Sequence, residues 1–277
     1  LILVRVPRRV SPFIGLPLLY LYVEITGASP SAVRAFLMAL FFWASFAFMR
    51  QRSPLSALAT SAVCVLIFMP EQLWNIGFQL SYTVVLSILL LGLPLYELLC
   101  KRWAPFNYLP IADWSFWQHA FAWILNAVFL LFAISFSAWM SSALLSATFF
   151  GYLSPLAILL NMLLVNLAAI CISAGVISLS LSILNLDSFA LFINHAAWLT
   201  IHTMDSLVAW STQLPWMVIY CESFPKWLAY TGLTTYFLTL LYLQREHRYS
   251  RAYLFALPPS IVAVSYTHLR AHETTRH

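Results

Sequence analysis

"SPSAVRAFLMALFFWASFAFMRQR", residues 29–52, is the stretch whose reading decides the fold. Between Arg34 and Arg50 every residue except Ser45 is apolar. A helix on the surface of a soluble domain would return a polar face every turn or so, and this one does not. Ser29 ahead of Pro30 is an N-cap residue followed by a first-position proline. The helix therefore has a defined start, and Arg34 lies about one turn inside it. The segment reads as a membrane helix of about 20 residues with a guanidinium at its head.

The whole chain agrees. Of its 277 residues 62% are hydrophobic and 8% charged, with a mean hydropathy of +0.85. Soluble domains carry about 25% charged residues, so this chain has too few charges to solvate a surface. Glycine is scarce, at 7 residues, and no segment alternates polar and apolar residues as a membrane strand would. The expected fold is all-α, a bundle of transmembrane helices in one domain.

Two ends stand apart. The chain opens at Leu1 inside an apolar run, so the start is expected to be missing and no signal peptide can be read. "VSYTHLRAHET", residues 264–274, matches one reading frame of a transposase-type sequencing adaptor. Residues 264–277 are therefore set aside as an unstructured artefact, with His268 and His272. Without Arg270, Arg276 and Glu273 the formal charge falls from +5 to +4.

Most of the other basic residues are clustered at Arg5, Arg8 and Arg9; Arg50 and Arg52; Lys101 and Arg102; and Arg245, Arg248 and Arg251. Basic loops stay in the cytoplasm. Apolar runs at 12–27, 32–49, 54–70 and 74–96 place the first three clusters on one side. Further runs at 117–136, 155–180, 189–210 and 227–243 bring the chain back to it. Eight spans are expected. The serine-rich piece 137–151, "SAWMSSALLSATFFG", has two readings: a re-entrant or interfacial helix covered by protein, or an extension of its neighbour. Ser53–Pro54, Pro70 and Ser154–Pro155 mark further helix starts. The cysteines, Cys64, Cys100, Cys171 and Cys221, show no CxxC pairing; neither a redox site nor zinc is expected, and no cofactor is called for.

Motifs in this frame resemble the membrane core of the ComEC-type competence proteins, bacterial inner-membrane channels for DNA uptake. Pro30, Ser31, Arg34 and Ala35 carry one pattern; Gly77, Phe78, Gln79, Leu80 and Ser81 carry a second. "FFGYLSPLAILLNMLLVNL" supplies a third through Phe150, Gly151, Ser154, Pro155 and Asn161. Relatives often place a proline shortly after that asparagine; here Asn166 or a neighbour stands there, and the helix is expected to run unbroken. The family's soluble domains and its Ser-Gly-x-His segment have no counterpart, so the chain looks like a fragment cut at both ends. The resemblance implies transport of single-stranded DNA into the cytoplasm, without catalysis. Its implied partners are the strand, the bilayer, other competence proteins and further copies of the chain. A secondary transporter of a small anionic solute would favour an internal repeat, and none is found. An intramembrane enzyme would need a catalytic set, and no nucleophile elbow or phosphate loop is present.

The candidate path residues come from several helices. Arg34 is either a fixed cation at the mouth of a polyanion path or a snorkelling side chain. Gln79 and Ser81 lie close to it in depth. Asn161 and Asn166 fall on different helix faces, each able to clamp a neighbouring helix. In "DSFALFINHAAWLTIHTMDSLVAW", residues 187–210, His195, Trp198, His202 and Asp205 are spaced to share one face. That face packs against the bundle, lines a wet path or, least of all, holds a metal, since His195 and His202 are two turns apart. Aromatics belong to interface belts or packing, and a few could stack the bases of a single strand.

Overall fold

The computed structural model describes residues 11–47, 53–103, 115–214, 218–221 and 225–245. The basic clusters at 5–9, 50–52 and 248–251, and the tail from 264, lie outside the described residues. The fold is all-α. Its helices are α1 (Ser11–Ile25), α2 (Pro30–Ala47), α3 (Pro54–Phe68), α4 (Ile76–Ser87), α5 (Leu93–Arg102), α6 (Phe116–Phe149), α7 (Ala157–Ile183), α8 (Asp187–Thr212) and α9 (Lys226–Arg245). A π-helical turn, Ile88–Gly92, joins α4 to α5 in one continuous helix.

Each of the eight apolar runs coincides with one helical rod. Among the described residues three rods are long and apolar enough to cross a membrane: Ile76–Arg102, Phe116–Phe149 and Ala157–Ile183. The others fall short for physical reasons. At about 1.5 Å per residue, the 15 residues of α1 or α3 cover less than the hydrocarbon thickness of about 30 Å. Helix α8 is long enough but carries Asn, His and Asp along its length.

Helix ends follow local chemistry. The Ala32 amide donates to Ser29 Oγ at 3.4 Å, and the Ser56 amide to Ser53 Oγ at 3.3 Å. Two expected starts are displaced. Pro70 opens a 3₁₀ turn, Pro70–Trp74, and the α-helix behind it begins at Ile76 under Asn75. Pro155 lies in a turn, with α7 beginning at Ala157. The α7–α8 turn closes on Asn185 at φ 58°, with Leu186 N donating to Leu181 O and Asn185 N to Ser182 O. That is the pattern of a Schellman cap, with asparagine as its left-handed residue.

The piece 137–151 extends its neighbour: α6 continues unbroken to Phe149, so the re-entrant reading is corrected. Its hydroxyls are absorbed by the helix itself, Ser137 Oγ donating to Ala133 O at 2.8 Å and Thr148 Oγ1 to Leu144 O at 2.8 Å. A two-residue antiparallel pair, β1 (Tyr152–Leu153) with β2 (Ile219–Tyr220), lies beyond it. Gly151 supplies the φ of 72° that turns α6 into β1, and its carbonyl accepts from Cys221 N at 2.8 Å.

The chain divides into two compact units at Leu90/Leu91. In the first, Leu58, Phe78 and Tyr82 form a buried cluster against Met38, Val65, Leu66 and Val85. The Phe78 and Tyr82 rings are 4.5 Å apart. In the second, α7 and α8 form an antiparallel hairpin, with Ala190 and Ala197 buried on the inner side of α8. Ser178 Oγ donates to Ala190 O across it at 2.9 Å.

Candidate functional site

In the first unit the polar chemistry gathers where α2 meets the start of α4. Because α2 starts at Pro30, Arg34 falls one turn in, and it is only 6% exposed. Among the described residues its guanidinium makes one hydrogen bond, Nη2 donating to the Gly77 carbonyl at 3.1 Å. Among the same residues its Nε is buried without a partner. Gly77 is held in turn by Asn75, whose Oδ1 accepts from the Gly77 amide at 2.8 Å. A side chain at 77 would press on both: a Cβ there lies 3.1 Å from Asn75 Oδ1 and 3.5 Å from Arg34 Nη2.

Gln79, expected beside Arg34, donates from Nε2 to Leu73 O at 2.9 Å and so folds back over the 3₁₀ turn. Ser81 is half-buried on α4. Two further buried atoms of this unit lack partners among the described residues, Gln72 Oε1 and Tyr82 Oη. Together with Arg34 Nε they make a donor, an acceptor and a hydroxyl able to serve as either. Sequence reasoning does not reach Gly77 and Tyr82 as parts of this knot. Gly77 is readable only as a motif letter, and Tyr82 passes for one more aromatic in an apolar run.

In the second unit the outer face of α8 is the polar surface. Asn194, His195, Trp198, His202 and Asp205 lie along it, all exposed, with the two histidines roughly opposite the buried alanines and the other three on the flank between. His195 Nδ1 lies 2.8 Å from Leu191 O. A carbonyl can only accept, so the proton of a neutral ring is on Nδ1 and Nε2 points outward as an acceptor. The His202 ring lies on Trp198, centroids 5.4 Å apart and planes within 1°. A groove of about 350 Å³ is lined by Asn194, His195 and Trp198. Asn194 escapes the sequence reading because the stripe starts at His195; its being next to His195 is the available signal. Among the described residues no group of three or more His, Cys, Asp or Glu side chains is placed to hold a metal ion.

The two asparagines of α7 do not clamp neighbours as a pair. Asn166 Nδ2 donates to Met162 O of its own helix at 2.8 Å, and Asn161 is exposed. The absent proline has the expected consequence, α7 running without a break from Ala157 to Ile183.

Comparison with known proteins places these features. An 86-residue stretch, 31% of the chain, is 38% identical to ComE operon protein 3 of Bacillus subtilis (strain 168). The matched stretch covers 11% of that relative, so the chain spans a small part of its length. No solved structure matches. A family model described as competence protein matches residues 1–246, nearly the whole of the described chain. The chain belongs to the competence protein family.

Proposed function

We propose that this chain is the membrane part of a route by which single-stranded DNA enters the cytoplasm across the inner membrane of a bacterium, crossing it eight times. The chain serves as a conduit and performs no covalent step. Its partners are the strand, the bilayer, other proteins of the uptake machinery and further copies of itself. Membership of the competence family supports this reading. The structural observation that carries it is the exposed face of α8. Ionisable side chains within membrane helices face a bundle interior or a water-filled cavity, because lipid solvates them badly. His195, His202 and Asp205 are exposed, the two histidines about 120–160° around α8 from the buried Ala190 and Ala197 and Asp205 about 60–80°, a placement that suits the wall of a wet path.

The test uses the intact gene in its own host. His195→Leu, His202→Leu and Asp205→Leu, singly and together, are scored for uptake of labelled DNA, with membrane abundance checked by immunoblot. Uptake is expected to fall at equal abundance. Normal uptake by the triple variant would overturn the assignment of this face. Normal uptake after deletion of the whole gene would overturn the function.

A further inference from the structure

We infer that the groove on α8 is a subsite for nucleobases, held by stacking on Trp198, while the phosphate backbone is carried elsewhere. This rests on the reading that the chain handles single-stranded DNA, and it specifies which part of the strand this face touches.

Charge is the first argument. Helix α8 contains no Lys or Arg and carries Asp187 and Asp205. A surface that tracks phosphates needs cations; this one would repel them, so a strand lying here must present another part of itself.

Shape is the second. Trp198 and His202 are parallel, stacked plates, so the imidazole braces the indole from one side. Trp198 is 62% exposed and forms one wall of the groove, so its surface is open to a planar guest. The volume of about 350 Å³ falls at the small end of the range of about 300–1,000 Å³ for small-molecule sites. A base stacked on Trp198 would have its polar edge near the Asn194 amide and the outward Nε2 of His195. An amide can donate and accept, and Nε2 accepts, so the pair can meet differing base edges. Position is the third argument. Tryptophans of interface belts sit at helix ends, whereas Trp198 lies near the middle of Asp187–Thr212.

The same face of a second copy is the competing occupant, and the experiment separates the two. The full chain in detergent micelles is titrated with a fluorescent oligothymidine single strand. The control is an abasic strand of equal length, which has the same phosphates and no bases. The base-bearing strand is expected to bind about 5–150-fold tighter, the range of one stacked base. That ratio should hold between about 50 and about 200 mM salt, because only the phosphate contribution is screened. Trp198→Ala should abolish the ratio, while Trp198→Phe, which keeps a π-face, should retain most of it; melting curves of both establish folding.

Equal binding of the two strands by the wild-type chain would overturn the inference and leave the proposed function standing. No binding of either strand would count against both. Trp198→Cys forming a disulfide with the same position of a second copy, undiminished by excess base-bearing strand, would assign the face to self-association and overturn the inference.

Discussion

Replacing Arg34 with methionine separates what the arginine does for the fold from the transport role proposed for the chain. The change removes the hydrogen bond from Nη2 to the Gly77 carbonyl. A bond from a charged donor contributes about 1.5–3 kcal/mol, and a buried group left unbonded costs about 1–3 kcal/mol. The first quantity is lost. The second is recovered, because Nε is buried without a partner and disappears with the guanidinium. Gly77 O lies in the first turn of α4 and keeps its acceptor role toward the helix amide four residues on. Methionine has a similar volume and ends near the position of Nε, so little cavity opens. The two contributions offset, and the expected change in stability is within about 1 kcal/mol of zero.

Denaturant or thermal unfolding of the solubilised protein measures this. DNA uptake by the intact protein in its host, with abundance checked, measures the other half. Uptake is expected to fall strongly for Arg34→Met, Arg34→Gln and Arg34→Glu at normal abundance, and to survive in Arg34→Lys. Only one N–H of the guanidinium is in use among the described residues, so a point charge can replace it where a bidentate clamp would not allow that. A loss of about 3 kcal/mol or more in the methionine variant, about a 150-fold shift in the unfolding equilibrium, would refute the reasoning and make Arg34 a structural lock. Full uptake by the glutamate variant would refute the transport role.

Four further outcomes are expected. Gly15 is buried, and a Cβ there would run into the Trp43 ring; Gly15→Ala should lower stability by about 1–3 kcal/mol through overpacking, and Trp43→Leu in the same chain should recover part of it, as melting curves will report. Asn75→Ala removes the cap on the Gly77 amide and should cost about 1 kcal/mol in the same assay, with Asn75→Asp close to wild type. The Trp139 indole donates to Ser154 O at 2.8 Å, so Trp139→Phe should destabilise by about 1 kcal/mol; an unchanged melting curve would show that this tie between α6 and the turn before α7 is worth nothing. Reporter fusions after Arg52, Arg102 and Arg251 should read cytoplasmic and those at Ser29 and Glu71 the opposite side; an external signal at Arg102 would break the eight-span order.

Helix boundaries are legible where a single local device sets them. Ser29–Pro30 and Ser53–Pro54 can be read from adjacent letters because capping is a matter of neighbouring residues. The serine-rich end of α6 is not legible. Ser137, Ser141 and Thr148 look polar in sequence, yet each returns its hydroxyl to a carbonyl three or four residues back and presents an apolar outline. The α8 stripe is legible because helical spacing fixes which residues share a face, and the Trp198–His202 stack comes from that spacing. The Arg34–Gly77 bond is beyond reach, since 43 residues separate its ends and only packing of α2 on α4 brings them together. The same holds for β1 and β2, which pair across a long intervening stretch of chain.

Helix α6 is a single rod that meets two solvents. At about 1.5 Å per residue its 34 residues extend about 50 Å, well beyond a hydrocarbon core of about 30 Å. Its first half turns Phe116, Trp117, Phe121, Trp123 and Ile124 outward. Its second half buries Ala133, Ser137, Ser141, Ala143 and Ala147. Mutational tolerance should therefore change along a single helix. In the first half one apolar side chain can replace another, because fluid neighbours adapt to any shape. In the second half an added methylene has nowhere to go, and residue size there is fixed by close packing. A library of substitutions along α6, sorted for membrane abundance, should divide near Ala133 into a stretch that selects for oiliness and a stretch that selects for smallness.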